Sequence, residues 1–219
     1  VINPDEVGLI IFDLGGTLIS DVKADYEAVR RAFEKLGWRM PVGNEREYLP
    51  YMTMPSDDFY RTITPPEHRD EWQAGREVIR QEYFRTFPEF SRLYPGVIGT
   101  LKTLRGQCLH LALYSRAASK IVVDTSAKLG IDKYFDYIKT DKDDGTDKID
   151  LARQIIIRYD VPAAVVGDSI HDIDVARKTG SLAIGVKYGY GGKEVAEADI
   201  LLSRFSDLLQ IFARGKKPW

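Results

Sequence analysis

The 219-residue chain has a single cysteine, Cys108, which rules out an internal disulfide framework and any multi-cysteine metal site. It also lacks long apolar runs; the longest are strand-sized, far short of the ~20 residues a membrane span needs. An excess of charge of one sign is missing as well. The 31 basic and 33 acidic residues give a formal net charge of -2, so neither nucleic acid nor a membrane is expected as a partner. The start has no signal-peptide pattern, because Asn3, Pro4, Asp5 and Glu6 interrupt it at once. Val1 in place of Met leaves the completeness of the N-terminus open. Repeats and low-complexity tracts are absent. Cys108 lies in the apolar run "CLHLALY" and reads as a buried, inert thiol, which points to a reducing cytoplasm.

What is present is ordinary for a globular chain: 44% hydrophobic and 29% charged residues, with length for one large domain or a core plus one inserted module. Short apolar runs end at polar or glycine-bearing turns: "VGLIIFD" (7–13), "CLHLALYS" (108–115), "AAVVGD" (163–168) and "LAIGVK" (182–187). They are apolar on successive residues, the pattern of parallel strands buried on both faces. "FDYIKT" (135–140) and "DILLS" (199–203) are weaker examples. Helical patterns at 97–105, 117–129, 148–159, 171–179 and 205–213 alternate with them, so an α/β fold with a doubly wound, mostly parallel sheet is expected. Residues 21–92 differ. "DYEAVRRAFEKLG" has helical spacing and stops at Gly37, Pro66 to Phe87 reads as one long helix with Pro88 beyond its end, and no strand is evident. The expected division is an α/β core of residues 1–18 and 93–219 and an inserted all-helical module of 19–92. "GKKPW" closes the chain as a solvated tail.

In an open α/β sheet, ligands bind beyond the carboxyl ends of the strands. Asp13, Ser115 and Asp168 stand at those ends, and Asp172 follows four residues after Asp168, across the turn into the next helix. Three carboxylates and a hydroxyl at one edge suit a hard cation with oxygen ligands, Mg²⁺ best. Lys148 starts the helix before strand 163–167 and is placed to balance the carboxylates and hold a phosphate; Lys142 competes for that role. The turn "DLGGT" would expose backbone N–H groups near Asp13. Arg116, next to Ser115, is a further candidate to touch substrate. Together these parts suggest phosphoryl chemistry with a carboxylate nucleophile.

With these residues in place, the chain resembles the haloacid dehalogenase superfamily, mostly phosphatases that pass through an aspartyl-phosphate. "DLGGTL" resembles the family's DxDGT, "LYS" its strand ending in Ser or Thr, Lys148 its lysine, and "GDSIHDIDVARKTG" its closing acidic pair. "YPGVIGTLKTL" and "GVKYGYGG" are similar to segments of phosphoglycolate phosphatase-like members, which also carry a helical cap between the first two motifs. The resemblance implies a Rossmann-like core with that cap. It implies that Asp13 attacks phosphorus and ligates Mg²⁺, with the Gly15 backbone carbonyl as a second ligand. Asp168 would bind the ion directly, and Asp172 directly or through water. Thr17 and Ser115, with backbone amides such as that of Gly16, would hold the phosphoryl oxygens, and Lys148 would stabilise the transferring group and orient Asp13. The substrate implied is a small phosphorylated metabolite.

One departure stands out. The family's phosphatases carry, two residues after the nucleophile, an aspartate that protonates the leaving alcohol and later activates water; here that residue is Gly15. A non-catalytic protein that binds a phospholigand or a protein partner is therefore the alternative. Phosphonate-cleaving relatives have a small residue there and form an imine on a cap lysine, for which Lys23 and Lys35 are on offer; Lys35 itself reads as a solvated helix position. His171 reads as an exposed first-turn residue, and His68 and His110 show no metal-ligand spacing. Trp38, Trp72 and the aromatics of "EYFRTFPEF" read as packing of the helical module, and "GYGGK" (189–193) as a connector bordering the site. The oligomeric state is not legible.

Overall fold

The computed structural model describes residues 2–54, 56–140 and 147–213. It divides into two compact units, Val1–Ser20 with Leu93–Trp219, and Asp21–Arg92. In chain order the strands are β1 (Leu9–Phe12), β2 (Ile19–Ser20), β3 (Arg92–Leu93), β4 (His110–Ser115), β5 (Tyr137–Thr140), β6 (Ala163–Gly167), β7 (Leu182–Val186) and β8 (Ile200–Leu202). The two-residue strands β2 and β3 form a small sheet of their own. The other six make one parallel sheet in the order β5-β4-β1-β6-β7-β8. The helices of residues 21–92 are α1 (Val22–Leu36), α2 (Glu45–Tyr48), α3 (Ser56–Ile63) and α4 (Trp72–Phe90). Those of the sheet-bearing unit are α5 (Val97–Gly106), α6 (Ser119–Lys128), α7 (Lys148–Tyr159), α8 (Ile170–Thr179) and α9 (Leu208–Ile211).

The continuous apolar strands have the physical cause expected of a parallel sheet covered on both sides. Alternate residues of each strand enter different cores. Ile10, Phe12, Leu111, Leu113 and Val166 pack with Val97, Leu101 and Leu104 of α5. Leu9, Ile11, Ala112, Tyr114 and Val165 pack with Ala152 and Ile155 of α7 and Ile173 of α8. Each large aliphatic side chain so buried contributes about 1.5–3 kcal/mol. Strand order reverses at β1, which lies between β4 and β6 with Phe12 level with Leu113 and Val166. That reversal opens the crevice where an α/β sheet holds its ligand.

Two sequence expectations are corrected. Cys108 is exposed, in the turn between α5 and β4 with φ 59°, because β4 begins only at His110. Helix α4 runs through Pro88 to Phe90, and the Ser91 N–H donates to the Phe87 carbonyl at 3.1 Å. A proline removes its own N–H bond, but this close to a helix end only that one bond is lost. The stretch Pro66–Glu71 is a separate 3₁₀ segment with non-helical backbone at His68. Lys142 and the terminal "GKKPW" lie outside the described residues.

Within the helical unit, α1 stops where Gly37 takes φ 68°. Trp38 packs edge-on to Phe33 and stacks on His68, and Trp72 lies under the Arg61 guanidinium, so these aromatics do build a core. Lys35 is not simply solvated: its ammonium pairs with buried Glu82. Half-buried Asp25 accepts hydrogen bonds from the Tyr48 and Tyr83 hydroxyls, both at 2.8 Å and both on Oδ1. Burial pushes its carboxyl up, against the pull of those two donors. A carboxyl whose folded pKa is raised is most stabilising below its unfolded pKa, and stability falls as pH climbs from about 4 through the folded value. Asp25→Asn keeps an oxygen for both tyrosines and removes the buried charge. Thermal melts should therefore show it more stable than wild type at pH 7, with the difference vanishing below about pH 4; a pH-independent difference would contradict this cause.

Candidate active site

Asp13 is delivered by the end of β1, where its N–H donates to the Val166 carbonyl at 3.0 Å. Asp168 follows β6, and Asp172 sits in the first turn of α8. All three are buried, and each offers a carboxylate oxygen within 4.8 Å of the others. Lys148, the first residue of α7, donates from Nζ to Asp13 Oδ1 and to Asp172 Oδ1, each at 2.6 Å. The α7 start is placed by Asp147, whose side chain accepts the Asp150 N–H.

The electrostatics follow from this crowding. Burial pushes the Asp13 carboxyl up to about 6, with Lys148 opposing and Asp172 adding to the rise. Burial, then repulsion from Asp13 and Asp172, pushes Asp168 up to about 7. For Asp172 burial acts in the same sense, but the Lys148 charge, with hydrogen bonds from Lys148, Ser169 and Tyr114, holds it below the usual range. Burial alone would lower the Lys148 ammonium, yet the two carboxylates it bridges raise it. Among the described residues, Lys148 is the ammonium that bridges these buried carboxylates, one cation against three acidic groups. The donor set is oxygen only, which fits a hard divalent cation.

The loop after β1 approaches closely. Gly16 has φ 72°, and a Cβ there would lie 2.2 Å from Asp168 Oδ2, so no other residue fits. The Gly16 N–H donates to the Ile19 carbonyl at 2.8 Å. Gly15 is half-buried, pairs with Ile19, and is not among the residues of positive φ. The Thr17 hydroxyl is buried with no hydrogen-bond partner among the described residues, while its carbonyl accepts from the Tyr188 hydroxyl at 2.9 Å. Such an orphaned hydroxyl fits a ligand oxygen. Ser115, at the end of β4, accepts the Ala117 N–H at 3.1 Å on Oγ, which leaves its own proton for an outside acceptor. Arg116 is exposed, and its charge acts on Asp13 to lower it.

Ser169, Tyr114 and Tyr188 were not anticipated as residues of the site. Ser169 donates from its N–H (3.2 Å) and Oγ (2.6 Å) to Asp172 Oδ2; the spacing Ser169-x-x-Asp172 is a helix-start signal that reveals it. Tyr114 donates to Asp172 Oδ1 at 2.7 Å, and its ring lies 4.3 Å beneath the Lys148 ammonium. Nothing in the sequence separates it from an ordinary core residue. The connector at 189–193 does border the site: the Tyr190 N–H donates to Asp168 Oδ2 at 2.6 Å, and a Cβ on Gly189 would lie 2.2 Å from Asp168 Cβ. Tyr188, in the turn just before that connector, braces Thr17. His171 is exposed in the first turn of α8.

The chain is similar to proteins already known. The family of haloacid dehalogenase-like hydrolases matches residues 10–186. A phosphoglycolate phosphatase of Chromobacterium violaceum is 26% identical over 222 residues, covering 97% of this chain and 100% of its own. One from Vibrio parahaemolyticus is 30% identical over 223 residues, covering 95% and 97%. In fold, a haloacid dehalogenase-like family hydrolase of Streptococcus pneumoniae superposes with a TM-score of 0.81 at 22% identity, covering 94% of this chain and 99% of that one. Among the described residues no helix is long and apolar enough to cross a membrane. The chain belongs to the haloacid dehalogenase-like hydrolases, among their phosphatase-like members.

Proposed function

We propose that this protein is a Mg²⁺-dependent phosphohydrolase that acts on a small phosphorylated metabolite through an aspartyl-phosphate on Asp13. The observation that carries the reading is the convergence of Asp13, Asp168 and Asp172, with Lys148 bridging two of them. Asp13, Asp168 and the Gly15 carbonyl would hold the ion, with Asp172 beside it; when bound, it supplies charge neutralisation at the transferring phosphoryl group. An Asp13 carboxylate oxygen attacks phosphorus and the bond to the leaving oxygen breaks. Thr17 and Ser115 donate their hydroxyl protons to phosphoryl oxygens, and Lys148 keeps Asp13 ionised and aimed. That relatives include phosphoglycolate phosphatases favours a small phosphorylated carboxylic acid.

Gly15 shapes the expected activity. With no carboxyl at that position, neither the leaving alcohol nor the hydrolytic water finds its acid–base partner there. Such partners typically contribute ~10²–10⁴-fold. A panel of phosphate esters assayed with Mg²⁺ and with EDTA should show an aryl ester hydrolysed well ahead of alkyl esters, and both rates lost on chelation. Gly15 also favours a second reading, a phospholigand-binding protein without turnover. Absence of turnover on every ester, with Asp13 never labelled by phosphate, would decide for it and against the hydrolase.

A further inference from the structure

We propose that Tyr114 is a positioning residue: it holds Asp172 onto Lys148 and off the cation, leaving Asp13 and Asp168 as the carboxylates that ligate the ion. The inference rests on the phosphohydrolase reading. Its basis is an accounting of lone pairs. A carboxylate has about four acceptor sites, and Asp172 fills them with Lys148 Nζ and the Tyr114 hydroxyl on Oδ1, and the Ser169 N–H and Oγ on Oδ2. Asp13 accepts only Lys148, on Oδ1, and Asp168 only the Tyr190 N–H, on Oδ2, among the described residues. Asp13 Oδ2 and Asp168 Oδ1 are thus the open acceptors, whereas Asp172 would have to give up a donor to bind metal directly.

Tyr114 is built for this task by its position. On β4 it alternates with Ser115, so its side chain enters the core formed with α7 and α8 rather than the one formed with α5. From there one side chain touches both members of the ion pair. The ring face lies under the Lys148 ammonium, and the hydroxyl reaches the carboxylate that the ammonium binds.

Tyr114→Phe keeps the ring and removes the hydroxyl. Calorimetric titration of the metal-free protein with Mg²⁺ should show affinity tightened ~3–10-fold, because Asp172 Oδ1 is released from one donor. With an aryl phosphate, kcat should fall ~10-fold while KM stays constant, since Lys148 loses its fixed partner. In an Asp172→Asn background the same change should alter kcat less than ~2-fold, because Tyr114 acts through that carboxylate. Unchanged cation affinity and kcat, or fully additive effects in the double variant, would overturn the inference. If Tyr114→Phe is too unstable to assay, Ser169→Ala withdraws a donor from the other oxygen and should tighten Mg²⁺ likewise; unchanged affinity there is equally fatal. A wild type that binds Mg²⁺ and turns over, beside a Tyr114→Phe variant with the same cation affinity and kcat, sinks this inference alone. A wild type that binds no divalent cation and hydrolyses nothing sinks the underlying reading with it.

Discussion

Replacing Gly15 by aspartate is expected to speed hydrolysis of an alkyl phosphate by ~10²–10⁴-fold, equivalent to about 3–5 kcal/mol of barrier. The backbone permits it, because Gly15 does not have the left-handed φ that would penalise a side chain, and the residue is only half-buried. Its neighbour makes the contrast: Gly16→Ala would drive a Cβ into the Asp168 carboxylate from a backbone at φ 72°. The gain at Gly15 should depend on the leaving group. An alkoxide needs a proton as it departs, whereas an aryl oxide departs readily without one, so the aryl ester should gain much less. Comparing kcat/KM for the two esters in wild type and Gly15→Asp separates the effects. A variant no faster on the alkyl ester would show that the missing carboxyl is not what limits this site.

Lys148→Met should cost both catalysis and stability, and the stability loss should depend on the cation. The Lys148 side chain is only 9% exposed and lies 2.6 Å from two carboxylates that are themselves buried. Breaking a buried pair by removing one partner typically costs 3–5 kcal/mol, because the remaining charge is left without compensation. Here three carboxylates are left, so the Tm in EDTA should drop clearly. Added Mg²⁺ should recover part of the loss, since an ion bound by the folded state alone stabilises it by mass action. Turnover should fall ~10²–10³-fold, the usual cost of one preorganised donor at a transferring group. A Tm loss of the same size with and without Mg²⁺ would contradict the shared neutralisation of these carboxylates by lysine and cation.

The amino-acid sequence by itself determined which segments are buried strands and where each ends. A parallel strand covered on both faces must be apolar at successive positions, and "LIIF" and "AAVV" stop at Asp13 and at Gly167-Asp168 because the polar crevice begins there. The same local logic placed Lys148 at the head of α7 and Asp172 in the first turn of α8. Only the tertiary structure decided which strand ends are neighbours. The order β4-β1-β6 brings Ser115, Asp13 and Asp168 to one edge, and it arises from long-range crossovers that no local pattern records. Only the tertiary structure made Tyr114 part of the site, because its hydroxyl meets a residue 58 positions away on another element. It likewise turned Cys108 outward, through a turn that delays the start of β4, and carried α4 past Pro88. "DLGGT" shows on its own that a strand ends in a carboxylate and a glycine turn. The packing of Gly16 against Asp168, and the burial of the Thr17 hydroxyl without a partner among the described residues, exist only where separate pieces of chain are folded together.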